Sequence, residues 1–224
     1  MSSPHAQLAR LSAAMFLGMT LWFSATAATG AIVAEFHLDA GSAAWVTMAV
    51  QAGFVVGTFA TALLNLPDLL NARWLFAIGC VVGAALNAAA TQVHGATALI
   101  GLRLATGVMM AWVYPPGMKI AAGWFDRGRG TALGLLIGAL TIGSAVPHLM
   151  ASVSTTIPWR TLMLAASAMS VVGGVLVVTA VGDGPYVTRS TRFEPSAAFL
   201  IFTDPLSRRA TLGYLGHMWE LYAV

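Results

Sequence analysis

Charged side chains are scarce in this chain. They make up 8% of its 224 residues, against about 25% in an average soluble protein, whereas 58% of the residues are hydrophobic. The 11 basic and 8 acidic residues are too few to cover the surface of a soluble protein of this size, and the abundance of apolar residues excludes intrinsic disorder. The composition therefore indicates an integral membrane protein.

Cysteine is almost absent, and so are the short motifs of common enzymes. The single cysteine, Cys80, excludes a disulfide framework and a cysteine-rich metal site. The sequence contains no Gly-x-x-x-x-Gly-Lys-[Ser/Thr] phosphate loop, no His-Glu-x-x-His and no Gly-x-Ser-x-Gly. We therefore predict that the protein is not an enzyme, has no cofactor or bound metal and does not bind nucleic acid.

Six continuous apolar stretches are long enough to cross a bilayer. A spanning helix needs about 20 mostly apolar residues, and such long unbroken runs exclude the alternation of β-barrel strands. The predicted spans of this all-α membrane protein are Leu11–Ala34, Ala43–Leu66, Trp74–Thr91, Thr97–Ala121, Thr131–Ser154 and Trp159–Val181. A seventh stretch, Ala210–Val224, is too short for a full crossing, so we expect the chain to be a fragment.

Basic residues fall on alternate loops. One set of loops carries Arg10, Arg73, Lys119, Arg127, Arg129, Arg189, Arg192, Arg208 and Arg209, whereas the loops of the other set contain almost none. Because basic residues gather on the cytoplasmic side, we predict a multi-pass protein of the plasma (inner) membrane with a cytoplasmic N-terminus. In a rival interpretation, Arg10, Leu11–Phe23 and Ala25–Ala27 form a cleavable signal peptide, but the apolar run continues to Val33.

The order of these segments suggests an organisation in three parts. Residues 1–182 form a six-span half, residues 183–208 a polar cytoplasmic linker and residues 209–224 a partial seventh span. Two six-helix halves joined by a linker are typical of secondary transporters. Within the spans, glycines four residues apart predict close helix packing, at Gly53 and Gly57, Gly79 and Gly83, and Gly130, Gly134 and Gly138.

Two local patterns carry a resemblance to a known family. Asp68 and Arg73 follow the second span, and Arg103 is followed four residues later by Gly107 in the fourth span. They resemble the elements G-x-x-x-D-[R/K]-x-G-[R/K]-[R/K], of which only Asp68 and Arg73 are kept, and R-x-x-x-G of the major facilitator superfamily of secondary transporters. For Asp68 and Arg73 the resemblance implies a charge-based latch between the two halves, and an ordinary polar turn is the alternative. The fifth span lacks the Gly-Pro pair of the family's exchangers, so we infer no antiport.

Polar side chains inside the spans are the candidates for contact with substrate or a coupling ion. Arg103 lies about six residues, or roughly 9 Å, into the fourth span from its outer side, and an arginine there costs a few kcal/mol unless it faces a partner, water or substrate. Snorkelling or structural pairing of its side chain is the alternative to a functional role. Arg103 with a nearby His148 would suit an anion, with the histidine as proton carrier, although His148 could instead cap carbonyls freed by Pro147. The full set of candidates is Gln51, Asn87, Arg103, His148 and Glu220.

These features predict transport of a small solute, with an anion favoured, by alternating access. The predicted partners are a small-molecule substrate, a proton or solute gradient, the lipid bilayer and a missing C-terminal half. A seven-helix sensor or receptor without transport activity is the main alternative, and it would need a signalling partner for the linker. An intramembrane enzyme would need a nucleophile or metal constellation that the sequence does not show.

Overall fold

The computed structural model describes residues 3–153, 157–187 and 203–213. The chain divides into two units, Met1–Arg189 and Ser190–Val224. Within the second unit a helix occupies residues 205–213, and its N-terminus is capped by the Asp204 carboxylate, which accepts a hydrogen bond of 2.7 Å from the Ser207 backbone N–H. The candidate Glu220 and the end of the predicted seventh span lie outside the described residues.

Helices form each of the long apolar runs of the first unit. In chain order they are α1 (Pro4–Gly18), α2 (Thr29–Phe36), α3 (Ala40–Leu63), α4 (Leu66–Leu69), α5 (Ala72–Ala89), α6 (Ala96–Met110), α7 (Tyr114–Trp124), α8 (Arg129–Val153) and α9 (Trp159–Ala180). In the described part of the chain, five helical segments are long and apolar enough to span a membrane, or six if the bent pair from Pro4 to Phe36 is one span. The structure confirms an all-α, multi-pass membrane fold.

The first span is broken near its middle. The sequence predicts one continuous helix there, and this was wrong: between α1 and α2 lie two short 3₁₀ turns, Met19–Leu21 and Thr26–Ala28, and the two parts are bent by 44°. The Ser24 hydroxyl donates a hydrogen bond of 3.0 Å to the carbonyl of Leu21. A side chain that takes a backbone acceptor in this way competes with the helical ladder.

The fourth span is also interrupted, but it keeps its direction. Helix α6 ends at Met110 and α7 begins at Tyr114, and the whole segment counts as one 29-residue span. Pro115 and Pro116 occupy the first turn of α7, where a proline needs no N–H partner. The Tyr-Pro-Pro-Gly sequence therefore starts a new helical segment.

The first span and α5 lie at the centre of the bundle. Helix α1 packs on α8 and α9, α5 packs on α6 and α9, and α3 packs on α6. One apolar core surrounds Leu11, Met15 and Phe76, and a second surrounds Ile32, Leu99 and Trp159. The first core thus includes residues of α1 and the second includes Ile32 of α2.

Glycines bring the backbones of α3 and α6 into direct contact. A Cβ atom at Gly53 would collide with the carbonyl group of Leu104, and one at Gly107 would collide with that of Val50. At Gly57 it would lie 2.7 Å from the Val108 carbonyl oxygen. Because a backbone cannot swing aside as a flexible side chain can, only glycine fits these positions.

Of the other glycines predicted to pack closely, one pair does so and a set of three does not. A Cβ atom at Gly79 would lie 2.8 Å from the Met109 carbonyl oxygen, and one at Gly83 would lie 3.2 Å from Leu21, so this pair is closely packed as predicted. Gly130, Gly134 and Gly138 in α8 have nothing within 4 Å of such an atom. For these three the prediction of close packing was wrong within the described residues, because their face of α8 is exposed.

At one end of α9, an ion pair ties this helix to α2. Arg160 donates hydrogen bonds of 2.8 and 2.5 Å to the two carboxylate oxygens of Glu35, and the Trp159 indole N–H donates a third of 2.7 Å. The Arg160 guanidinium also lies 4.3 Å from the centre of the Trp159 ring and donates to the carbonyl of Thr91. A bidentate pair with stacking fixes both position and angle.

We expect Gly107→Val to destabilise the bundle, because the added side chain must push α3 away from α6. Overpacking of this kind costs about 1–3 kcal/mol. Thermal unfolding of the full-length protein in detergent measures the loss. Gly134→Val in α8 is the matched control and should leave the unfolding temperature almost unchanged. Equal effects of the two substitutions would contradict the backbone contact.

Candidate functional site

Arg103 lies in the interior of the bundle. Helix α6 places its side chain against the break in the first span, and the residue is 0% exposed. One terminal nitrogen, Nη2, donates a hydrogen bond of 2.7 Å to the carbonyl of Trp22. The other, Nη1, donates to the carbonyl of Leu21 at 3.1 Å, to Asn87 Oδ1 at 3.1 Å and to Ser24 Oγ at 3.4 Å. The guanidinium therefore binds the backbone at the point where the helix is interrupted.

All of these partners are neutral oxygens. The carbonyl groups at the end of a helix carry about half a negative charge in sum, and a break leaves such groups without their helical donors. A cation at the C-terminal end of α1 and its 3₁₀ turn is therefore favourable. The break supplies Arg103 with acceptors, and Arg103 supplies the break with donors that water cannot provide in the membrane interior.

Asn87 connects Arg103 to the helix on the far side. Its Oδ1 accepts a hydrogen bond from Arg103 and lies 2.9 Å from the Ser24 hydroxyl, whose single hydrogen is shared between Asn87 and the Leu21 carbonyl. Its amide donates to the Met163 carbonyl and to Ser167 Oγ, both at 3.0 Å. The side chain is 0% exposed and both ends of its amide are satisfied, as a buried polar group requires. We call Ser24, Asn87, Arg103 and Ser167 the polar cluster, which joins the first span, α5, α6 and α9.

Aromatic rings form a row beside this cluster. The centre of the Trp22 ring lies 6.4 Å from that of Phe23 and 5.0 Å from that of Phe54, and the Phe54 ring lies 6.4 Å from Tyr114. The His148 ring continues the row, 5.6 Å from Phe23. We call these five residues the aromatic row. Four of them are half-buried and His148 is exposed, so the row presents ring surface on an open side of the bundle.

The structure groups the sequence-predicted residues differently from the prediction. Arg103 and Asn87 come together in the polar cluster, whereas His148, on α8, contacts Phe23 of the broken span and joins the aromatic row. Gln51 is half-buried in α3, one turn before Phe54. Sequence reasoning missed Ser24 and Ser167 as members of the cluster. The sequence shows the hydroxyl residues within apolar stretches, but it does not show that they bind Asn87, because that contact depends on how four spans pack.

The loop motif after the second span forms an ion pair within the first unit. Arg73 donates through Nε and Nη2 to the Asp183 carboxylate at 3.0 and 3.1 Å, and through Nη1 to the carbonyl of Val181 at 2.8 Å. Asn71 donates to the same carboxylate at 3.1 Å. Arg73 thus holds the end of α9. The side chain of Asp68 lies outside the described residues, so the predicted latch stays a prediction.

A cleft of about 400 Å³ opens beside this ion pair. The end of the bundle that holds this cleft also carries Arg10, Arg73, Lys119 and Arg129. We call it the basic end. The cleft is lined by Leu70, Asn71, Ala72, Lys119, Ile120, Asp183, Gly184 and Val187. Across the described ranges, no three His, Cys, Asp or Glu side chains are grouped as metal ligands would be.

The helices and the buried polar cluster define a multi-pass membrane protein in which one span is broken where it meets the Arg103 guanidinium. Comparison with known proteins then gives the family. A model of the Major Facilitator Superfamily matches residues 11–223, and the chain belongs to that superfamily.

A curated relative adds a similar protein. The chain is 26% identical, over 132 residues, to a probable L-galactonate transporter of Escherichia coli strain K12. The aligned part covers 55% of this chain and 29% of the relative, so the chain matches less than a third of that protein's length.

We expect Asn87→Ala to destabilise the protein, because it removes one buried acceptor of Arg103 Nη1 and the amide donor to the Met163 carbonyl and Ser167 Oγ. A lost buried hydrogen bond costs about 0.5–1.5 kcal/mol, and more where the donor is charged, which lowers the unfolding temperature by a few degrees. Thr141→Ala in α8 is the control, since this exposed hydroxyl only returns to the Ile137 carbonyl. If both variants have the same unfolding temperature as the parent protein, the polar cluster does not stabilise the fold.

Proposed function

We propose that this chain is the N-terminal half of a secondary transporter that moves a small anionic solute by alternating access. The observation that carries the proposal is the family match over residues 11–223. The spans of the first unit supply rigid helices, and a gradient of protons or solute supplies the driving force. The process makes and breaks no chemical bond. The rest of the protein supplies the opposite wall of the path.

A sugar acid is the class of solute that we propose. The relative is called a probable L-galactonate transporter, and such an acid combines hydroxyl groups, C–H faces and one carboxylate. Small-molecule sites are lined mainly by apolar and aromatic side chains with a few placed polar groups. The aromatic row offers the first kind of contact, and Gln51 and His148 offer the second.

His148 is the proposed partner of the solute carboxylate and the proposed proton carrier. It is exposed beside Phe23, whereas Arg103 is buried behind the row. Histidine is the side chain that most readily gains or loses a proton near neutral pH, so binding of an anion and of a proton can be linked at one ring. Glu220 in the second unit is a second proposed coupling group.

We propose that the basic end faces the cytoplasm and that the protein lies in the plasma membrane. The support is the bias of arginine and lysine toward that end. The N-terminus and Asp183 are then cytoplasmic. Asp68 and Arg73 would form a contact to the other half at that face, with Arg73 at the same time anchoring the end of α9 through Asp183.

Purified full-length protein in proteoliposomes should accumulate labelled L-galactonate when the interior is made alkaline relative to the outside. Because we assign the carboxylate to His148, His148→Ala should reduce uptake at least about tenfold. Uptake of the neutral parent sugar, measured beside it, is the control for specificity. A protein that takes up neither compound under any imposed gradient would contradict sugar-acid transport and favour the sensor alternative.

Engineered cysteines can test the orientation. The native Cys80 is 0% exposed, so it gives little background with a membrane-impermeant maleimide. His94 and Arg127 are exposed at opposite ends of the bundle. In intact cells we expect His94→Cys to be labelled and Arg127→Cys to be labelled only after the membrane is opened. The reverse pattern would show that the basic end faces outward.

A further inference from the structure

Arg103 is the most deeply buried charge of the described residues, and the proposed solute cannot reach it. The residue is 0% exposed, and both terminal nitrogens donate to protein oxygens. Its remaining nitrogen, Nε, is buried as well and has no hydrogen-bond partner. A solute that bound this guanidinium would have to displace backbone carbonyls of the broken span. The geometry therefore gives Arg103 a task other than anion contact.

The groups that Arg103 holds lie directly beneath the aromatic row. Its shortest hydrogen bond, 2.7 Å, goes to the carbonyl of Trp22, whose indole ring is the central member of the row between Phe23 and Phe54. The second carbonyl, that of Leu21, is the preceding one in the chain. Fixing two successive peptide groups fixes the direction in which the Trp22 side chain leaves the backbone.

We propose that Arg103 is a positioning residue, which acts through the peptide groups of Leu21 and Trp22 to set the Trp22 ring for contact with the solute. The solute part of this statement rests on the proposed function. The positioning part rests on the hydrogen bonds and on the break alone. Asn87 and Ser24 hold the guanidinium from behind, so that movement of α5 or α6 is passed to the break.

The chemistry of the guanidinium suits this task. Arginine presents several N–H donors in a rigid planar fork, so one side chain can bind two carbonyls and an amide oxygen at fixed angles. A lysine ammonium at the same place keeps the charge but is a compact point with a flexible stem. Arg103→Lys therefore separates the charge from the fork.

The first test reads the Trp22 ring and needs no solute. The full-length protein is labelled with 5-fluorotryptophan, and among the 7 tryptophans the fluorine resonance of Trp22 is assigned from its loss in Trp22→Phe. We expect Arg103→Lys to shift or broaden the Trp22 resonance. The resonance of Trp45, which is 48% exposed near the start of α3, should stay in place as the internal control.

A second variant keeps this test decisive where the lysine does not give a folded protein. Arg103→Gln removes the buried charge and replaces the five N–H donors of the guanidinium with the two of one shorter amide group. It should move the same resonance. If the Trp22 resonance stays unchanged in whichever folded variant is examined, Arg103 does not position the ring and the proposal is overturned.

Transport kinetics provide the second test. Because both residues act through one contact surface, Arg103→Lys and Trp22→Ala should each raise KM about tenfold, and the double variant should be little worse than either alone. Arg103→Lys combined with His148→Ala should instead show multiplied effects. Multiplied effects of Arg103→Lys and Trp22→Ala would contradict the positioning role.

The two tests also separate this inference from the proposed function. A shifted Trp22 resonance in a protein that transports no sugar acid supports the positioning role and rejects the solute. An unshifted resonance in a protein that transports L-galactonate rejects the positioning role and supports the proposed solute.

Discussion

The hydrogen bonds between a buried guanidinium and the backbone of a broken helix are the contact on which this bundle depends. A break in the membrane interior exposes carbonyl groups that no water can satisfy, and a buried arginine exposes donors in the same way. Each would be costly alone. Together they satisfy most of each other's hydrogen-bonding groups, and Asn87 and Ser24 accept further hydrogen bonds from Nη1. The bend of 44° is therefore held by a side chain from another span.

This contact is possible only because α6 comes close to its neighbours. Gly107, one turn after Arg103, lets α6 touch the backbone of α3, and Asn87 on α5 reaches the guanidinium from the other side. At the ends of the bundle, ion pairs of Arg73 with Asp183 and of Arg160 with Glu35 tie α9 to α5 and α2. The centre is thus held by hydrogen bonds from one guanidinium to neutral oxygens, and the ends by ion pairs that water can partly solvate.

The sequence was enough to predict the class of fold because that depends on composition and run length. Long apolar stretches define the spans, and residues such as Gly53 and Gly57 indicate a close contact without naming its partner. The break at Trp22 was not predictable in the same way. No proline or glycine pair marks it, and the short hydroxyl side chain of Ser24 is ordinary in membrane helices.

The site was only partly predictable for a related reason. Arg103, Asn87 and His148 are conspicuous because polar groups are expensive in an apolar helix. Whether such a group faces a solute or a carbonyl depends on the rotation of each helix, and the apolar periodicity of a buried span says little about rotation. Asn87 and Arg103 are 16 residues apart and on different helices, so their contact follows from packing alone. The ion pair between Arg73 and Asp183 was not predictable for the same reason, because the two residues are 110 positions apart in the sequence.

The glycine contact between α3 and α6 has a consequence for how the gene can vary. Any single-base change in a glycine codon that alters the protein introduces a side chain or a stop. At Gly53 and Gly107 a Cβ atom already collides with a carbonyl group, so no small step away from glycine exists. The two positions can change only if the opposing helix moves at the same time. The α3–α6 contact is therefore a constraint on the pair of helices and not on either residue alone.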